Sequence, residues 1–312
     1  MTIRTETRTG ALAMGSVAMA SVGGSVAVSG VLADAPLFTV QAIRYAAASL
    51  LLLALARAAR VPIRMPRGTE WLWLLGVAAL GLVLFNVALV RGSEHAEPAA
   101  IGVAVACVPV VLALVGPLLE GGRPARSTVL AALVVTAGAV LVQTGGRTDL
   151  AGLGWAATVL ACEVGFTLLA VPVLRRHGAW GVSVHTCWIA TAQLGVLAAA
   201  TEDPAALTSL RGAHLVAIAY LAVVLTAIAF VLWYSAVGRL GSALAGLLTG
   251  VAPVAAAGVG VLLGAHVPGA GVWAGTALVL AGLVLGVRAP QPVAADPSTC
   301  SNGTSRYSRQ GR

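Results

Sequence analysis

The sequence predicts an all-α transmembrane protein: ten helices in two inverted five-helix repeats. Three observations predict it. Of 312 residues, 59% are hydrophobic and only 10% charged, with a mean hydropathy of +0.94. Average soluble domains carry roughly 25% charged residues, so a water-surrounded core could not bury this much apolar surface. The apolar residues fall in ten stretches near the ~20 residues that span a bilayer. The chain also aligns with itself at a constant offset of 144 residues.

The expected spans, in order, are Ala11–Leu32, Pro36–Ala56, Trp71–Val90, Pro98–Leu119, Ser127–Gln143, Ala151–Leu174, Trp180–Ala200, His214–Val237, Ser242–Ala265 and Gly269–Val287. The first follows Arg4 and Arg8 and precedes "ADA" at Ala33–Ala35, as in a signal peptide. It is longer than a usual signal core and takes part in the repeat, so it is read as a span. The separators are polar or rich in Gly and Pro, as in "RAARVPIRMPRGTE", "EGGRPARS" and "TEDPAALTSLRGAH". Helix 4 carries Pro109 and helix 9 carries Pro253, both ~17 Å into their spans. Each proline removes a backbone donor and frees a carbonyl, so both are read as cavity-lining kinks. Ser16, Ala20 and Gly24 define the expected close-packing face of helix 1, and Ser242, Gly246 and Gly250 that of helix 9. Trp71, Trp73, Trp180 and Trp233 are read as a belt near the membrane interfaces. The Pro- and Ser-rich tail at 289–312 is expected to be disordered.

Arginines set the expected topology. Every basic residue is Arg, and fifteen of them fall in one set of loops and tails, including Arg57, Arg60, Arg64, Arg67, Arg175 and Arg176. The other set holds only Arg91, Arg147 and Arg211, beside Asp34, Glu94, Asp149, Glu202 and Asp203. The positive-inside rule places the first set, and both termini, in the cytoplasm of a cell-membrane protein. The net charge of +8 is thereby explained without nucleic acid.

The offset repeat pairs Gly102 with Gly246, Pro109 with Pro253, Gly116 with Gly260, Pro124 with Pro268 and Gly138 with Gly282. The repeats are assigned to 11–144 and 151–288. Five helices per repeat is odd, so the second repeat enters from the opposite side. Inverted repeats are a feature of secondary transporters, whose site lies near the bilayer midplane between the halves.

Five residues are singled out for that site. Arg44 lies ~12 Å deep in helix 2, where a charge costs about 2.5–3.5 kcal/mol on insertion scales. It is read as a substrate anchor or a counter-ion. Glu163 lies ~18 Å deep in helix 6, close enough in depth to pair with Arg44 or share a cavity with it, and a buried carboxylate there is a candidate proton carrier. Tyr45 follows Arg44. Trp188 is Arg44's repeat partner, and His185 is that of Gln41. Tyr45 and Trp188 are candidate cavity walls, and His185 a candidate titrating group.

Cys107, Cys162 and Cys187 lie in apolar runs without C-x-x-C spacing, so they are read as buried thiols, neither metal ligands nor disulfides. With no lysine there is no Walker A motor, and H-E-x-x-H and nucleophile-elbow motifs are missing too. No cofactor or metal is expected, and the chain is not read as an enzyme. An intramembrane enzyme would need paired acids or a His/Asp cluster at one depth. A non-transporting scaffold would seal Arg44 and Glu163 in a dry pair.

The segments "PLFTVQAIRY", "VACVPVVLALVGPLLEGGRP", "TAGAVL" and "LTAIAFVLWYSAVGRLGSALAGLLTGVAPV" together resemble the EamA-type transporters of the drug/metabolite transporter superfamily, over Ala11 to Val287. The resemblance implies two EamA-like repeats and export of small metabolites, amino acids or drugs. Proton coupling and a homodimer stay open. Such families carry a glutamate after helix 9. Glu120 is the first-half equivalent, but Ala265 and His266 stand in the second half.

Overall fold

The structure, a computed structural model, describes residues 2–143, 146–263 and 269–288, so Ala265, His266 and the tail at 289–312 lie outside the described residues. Among the described residues ten apolar helices follow one another: α1 (Arg8–Gly30), α2 (Leu37–Ala58), α3 (Glu70–Ser93), α4 (Pro98–Leu119), α5 (Arg126–Val142), α6 (Leu150–Leu168), α7 (Val171–Thr201), α8 (Gly212–Leu240), α9 (Ser242–Leu262) and α10 (Ala270–Arg288). Nine have the length and apolarity to cross a membrane, and α5 is a shorter apolar helix. One boundary differs from the sequence expectation. Helix α6 stops at Leu168 rather than Leu174, and the chain restarts at Val171 with Pro172 in the first turn of α7. A proline there loses only an N–H that has no partner anyway. Gly178 then takes a φ of 64°, open to glycine alone among ordinary residues, and redirects α7 toward the core.

Repeat-equivalent helices pack against each other: α5 on α10, α2 on α7 and α4 on α9. Each pair runs antiparallel. In the first, Gly138 faces Gly275, Val135 faces Gly282 and Ala131 faces Gly286. In the second, the carboxylate of Glu202, just past the end of α7, accepts the Phe38 and Thr39 amides at the start of α2 (2.7 and 2.9 Å). In the third, Gly116 near the end of α4 lies beside Ser242 at the start of α9. The remaining helices obey the same two-fold logic, with α1 on α8 and α9, and α6 on α3 and α4. The halves are therefore inverted. Both ends of the described chain reach one face, where the Arg8 guanidinium donates to the Val287 carbonyl (2.7 Å). We call this the termini face.

In lipid, helices associate through close approach rather than a hydrophobic difference. The α5–α10 seam shows it. A Cβ on Gly138 would lie 2.7 Å from the Gly275 carbonyl oxygen, and one on Gly275 would lie 2.6 Å from that of Gly138. Gly246 and Gly250 of α9 are likewise enclosed, by Leu112 and Val135, as expected. The face of α1 is different from the expected one. Ala11, Gly15, Ala18, Gly23 and Ser25 are buried, whereas Ser16, Ala20 and Gly24 are only partly so. Gly23 sits against the backbone of Ala252 and Ala256. When both lipid and core are apolar, hydropathy does not mark which side faces in.

The helices are irregular at matching places. Turns of π-helix fall at Ala79–Leu84 in α3 and at Leu221–Ile228 in α8, their last residues 144 positions apart. Helix α4 breaks at Cys107, and α9 tightens to 3-10 helix at Leu248–Gly250. Both breaks lie just before the expected prolines, Pro109 and Pro253.

Candidate functional site

Arg44 is buried, only 6% exposed, so it turns inward rather than toward lipid. Its Nε donates to Thr226 Oγ1 in α8 (3.0 Å), and its Nη1 to Gln41 Oε1 one turn back (3.1 Å). The guanidinium carbon lies 4.9 Å from the Tyr45 ring centroid. Tyr45 is buried in turn, and its hydroxyl accepts the Asn86 amide from α3 (3.0 Å).

The π turns place two of these partners. A π turn shifts the carbonyl register by one residue and leaves backbone acceptors to be met elsewhere. In α3 the Asn86 amide also donates to the Leu82 carbonyl inside the π turn. In α8 the π turn contains Thr226, the residue 144 positions after Leu82, and directs its hydroxyl to Arg44. Gln41, Arg44, Tyr45, Asn86 and Thr226 thus form one buried polar spine across α2, α3 and α8.

Glu163 is partly exposed on α6. Among the described residues it makes no hydrogen bond or ion pair, with Arg44 or any other group. The two are bridged by intermediates. Cys187 of α7 lies within electrostatic reach of Arg44, Tyr45 and Tyr234, and Tyr234 within reach of Glu163. Tyr234 donates to the Phe166 carbonyl (3.2 Å), and Trp233 donates to Thr167 (3.2 Å), fastening α8 to α6. Trp233 is therefore a core residue, 3% exposed, and not the interfacial one the sequence suggested. Buried in this way, its indole N–H needs a partner inside, and Thr167 supplies it.

His185 and Trp188 sit toward the termini face. The Trp188 indole donates to His185 Nδ1 (3.0 Å), which leaves the Nε2 proton for the Arg64 carbonyl (2.8 Å). Trp188 stacks edge-on against Trp71, centroids 5.8 Å apart. These side chains tie the loop between α2 and α3 onto α7.

Pro109 is buried and Pro253 partly so. Ahead of Pro109, the Val110 amide bonds to Cys107 instead of Ala106. The freed Ala106 carbonyl accepts the Thr136 hydroxyl from α5 (2.9 Å). Ahead of Pro253, Thr249 donates within its own helix to the Gly246 carbonyl (2.8 Å). Glu120, the expected first-half acid, accepts the Ser242 amide at the start of α9 (2.9 Å). Two grooves, of about 520 and 450 Å³, flank the π turn of α3. Both are walled by apolar side chains, apart from Gln193 in the first, so neither is the polar chamber expected at mid-depth.

Three likenesses bear on this arrangement. The profile of the EamA-like transporter family matches residues 8–144 and again 150–288. The "Uncharacterized transporter YetK" of Bacillus subtilis (strain 168) is 24% identical over 252 residues, which cover 77% of this chain and 76% of that protein. A solved structure described only as "Crystal structure of protein" superposes with a TM-score of 0.74 at 22% identity, over 89% of this chain and 96% of that one, and shows the shared fold.

Proposed function

The chain belongs to the EamA-like transporter family, and from that premise we propose that it is a secondary transporter exporting a small molecule by alternating access. The family and the Bacillus subtilis relative both point to a membrane transporter. The finer reading is ours. The termini face is cytoplasmic, in a cell membrane, because the arginine-rich loops share that face with the chain ends. The two inverted halves rock about the buried spine, which becomes the substrate chamber as they part. Arg44 anchors an anionic group on the substrate, with Gln41 and Thr226 holding the guanidinium in place and Tyr45 as a wall. Glu163, with no fixed partner, carries the compensating charge or proton. Pro109 and Pro253 mark the hinged stretches of α4 and α9.

One observation carries this reading: among the described residues the buried arginine is hydrogen-bonded only by neutral groups, Thr226 and Gln41. A structural arginine sealed in lipid would be expected to find a carboxylate, because an unpaired buried charge is costly. Neutral partners leave the positive charge available.

Reconstitution in liposomes tests it. Small anionic and zwitterionic metabolites would be screened for saturable flux with and without a pH gradient. Wild type should move at least one. Arg44→Gln should lose that flux, and Glu163→Gln should lose its response to the gradient. Equal response in wild type and Glu163→Gln would remove the proton role. Unchanged flux in Arg44→Gln would remove the anchor.

A further inference from the structure

Two ionic clusters, one at each face, occupy equivalent places in the two repeats. At the termini face, Glu70 opens α3. Its carboxylate accepts the Arg67 backbone amide three residues back (2.8 Å), is met by the Arg176 guanidinium, and pairs with His177 Nε2 (3.1 Å). Arg176 and His177 lie in the short first segment of α7, just before the turn at Gly178. At the opposite face, His214 opens α8. It stands 144 residues after Glu70 and also takes the backbone amide three residues back, here that of Arg211, on Nδ1 (3.3 Å). Its Nε2 faces Asp34 Oδ1 (3.3 Å), and the Arg211 guanidinium meets the same carboxylate. Asp34 lies in the turn that enters α2, 144 residues before Gly178.

Each cluster thus holds one acid, one arginine and one histidine, built on the same helix start and the same turn. The charges are exchanged. The acid is on the helix at the termini face and on the turn at the opposite face. Each bridges from one repeat to the other, Glu70 to Arg176 and His177, and Asp34 to Arg211 and His214. Among the described residues the other ion pairs do not share this equivalence; His95–Asp149 and Arg147–Glu97 join loops of one face only.

We propose that these clusters are matched latches, one per face, and that breaking either one opens its own face while the other holds. The proposal rests on the alternating-access reading. Matched placement means that rocking about the two-fold axis strains one latch as it relaxes the other. The latches are unequal. The His177 side chain is fully buried and that of Glu70 is 20% exposed, whereas Asp34 and Arg211 are above 60% exposed. Water and salt screen the exposed pair more, so the termini face is the one held shut for more of the time.

The test uses the full chain in lipid nanodiscs, with its native cysteines replaced and a single reporter thiol introduced. Ser183→Cys, buried in the termini-facing half of α7, reports on one face, and Val40→Cys, buried near the start of α2, on the other. Labelling by a membrane-impermeant maleimide is timed. Glu70→Gln should speed labelling at Ser183→Cys about fivefold or more, the low end of coupling between distant sites, and slow it at Val40→Cys. Asp34→Asn should do the reverse. Exchanging the pair, as Glu70→Arg with Arg176→Glu, should restore wild-type rates, which a mere packing loss would not. Arg176→Gln serves if Glu70→Gln is poorly folded. Both reporters speeding up together, or neither moving, would overturn the proposal. The readout needs no substrate. Reciprocal labelling without flux would keep the latches and remove the transport reading, and flux without reciprocal labelling would do the opposite.

Discussion

The first repeat and the second share a backbone and divide the chemistry. Both carry a π turn in their third helix and a break in their fourth, at equivalent places to within a few residues. Yet the second helix of the first repeat holds Gln41, Arg44 and Tyr45, where that of the second holds His185, Trp188 and Ile189. One set points to the polar spine, the other to the loop between α2 and α3. The breaks differ too. In α4 a neighbouring helix satisfies the freed Ala106 carbonyl through Thr136, and in α9 Thr249 donates only within its own helix, to the Gly246 carbonyl. On the transport reading proposed above, the shared backbone would supply two interchangeable positions for the halves, and the unshared side chains would decide what is bound and which position is preferred.

The largest effect should come from breaking the shared backbone. A valine at Gly138 must push its Cβ into the Gly275 carbonyl, a backbone group that cannot turn aside. Overpacking of this kind costs typically 1–3 kcal/mol, sometimes more. Gly138→Val should lower the thermal midpoint in detergent sharply, and a larger residue at Gly275 should match it, since each faces the other.

Next comes the unshared charge. Arg44→Gln should leave the folded state nearly as stable, because it removes an expensive buried cation as well as its hydrogen bonds. It should cut flux by at least about tenfold, the loss of one charge-assisted contact of ~1.5–3 kcal/mol. Trp188→Phe, at the equivalent place in the other repeat, should cut flux far less, and the two rates side by side sharpen the contrast.

A smaller effect separates the two breaks. Thr136→Val strands the Ala106 carbonyl and should cost about 1–3 kcal/mol. Thr249→Val loses only a local bond within its own helix and should cost less, in the same unfolding assay.

The smallest effect is a pH dependence at the face away from the termini. Burial pushes the Asp34 carboxyl up, but Arg211, its hydrogen bond and His214 outweigh that and hold it below its ordinary value. Because the folded value is the lower one, the pair's contribution is present above the ordinary carboxylate range and is lost as pH falls through the folded value. The stability gap between wild type and Asp34→Asn should therefore shrink on acidification below that range. Asp149 follows the same sign. The Gly152 amide, which it caps, and His95 both lower it.

Much of this architecture was legible in the amino-acid order. Uninterrupted apolar length gave the spans, and a constant offset of Gly and Pro gave the repeat. Prolines marked the breaks within a few residues, and the charge at Arg44 marked the buried polar spine. What stayed hidden has a common cause. Side chains that face lipid and side chains that face another helix are equally apolar, so the sequence carries no inward stripe. That is why the packing face of α1 and the burial of Trp233 were misjudged. Thr226 stands 182 residues from Arg44, and Asn86 is a lone amide in "GLVLFNVALV"; only the fold brings them to α2. The exchanged latches were hidden because they match in position, not in residue type.

The central claim is that the inverted halves exchange access between faces, and spin-label distances test it most directly. One nitroxide pair, at Arg60 and Arg175, spans the halves on the termini face, and another, at Ser93 and Ser209, spans them on the opposite face; all four positions are exposed. In nanodiscs we expect two populated distances for each pair, with Glu70→Gln lengthening the first and shortening the second, and Asp34→Asn reversing both. A single distance per face that no latch variant moves, or two pairs that lengthen together, would contradict the account.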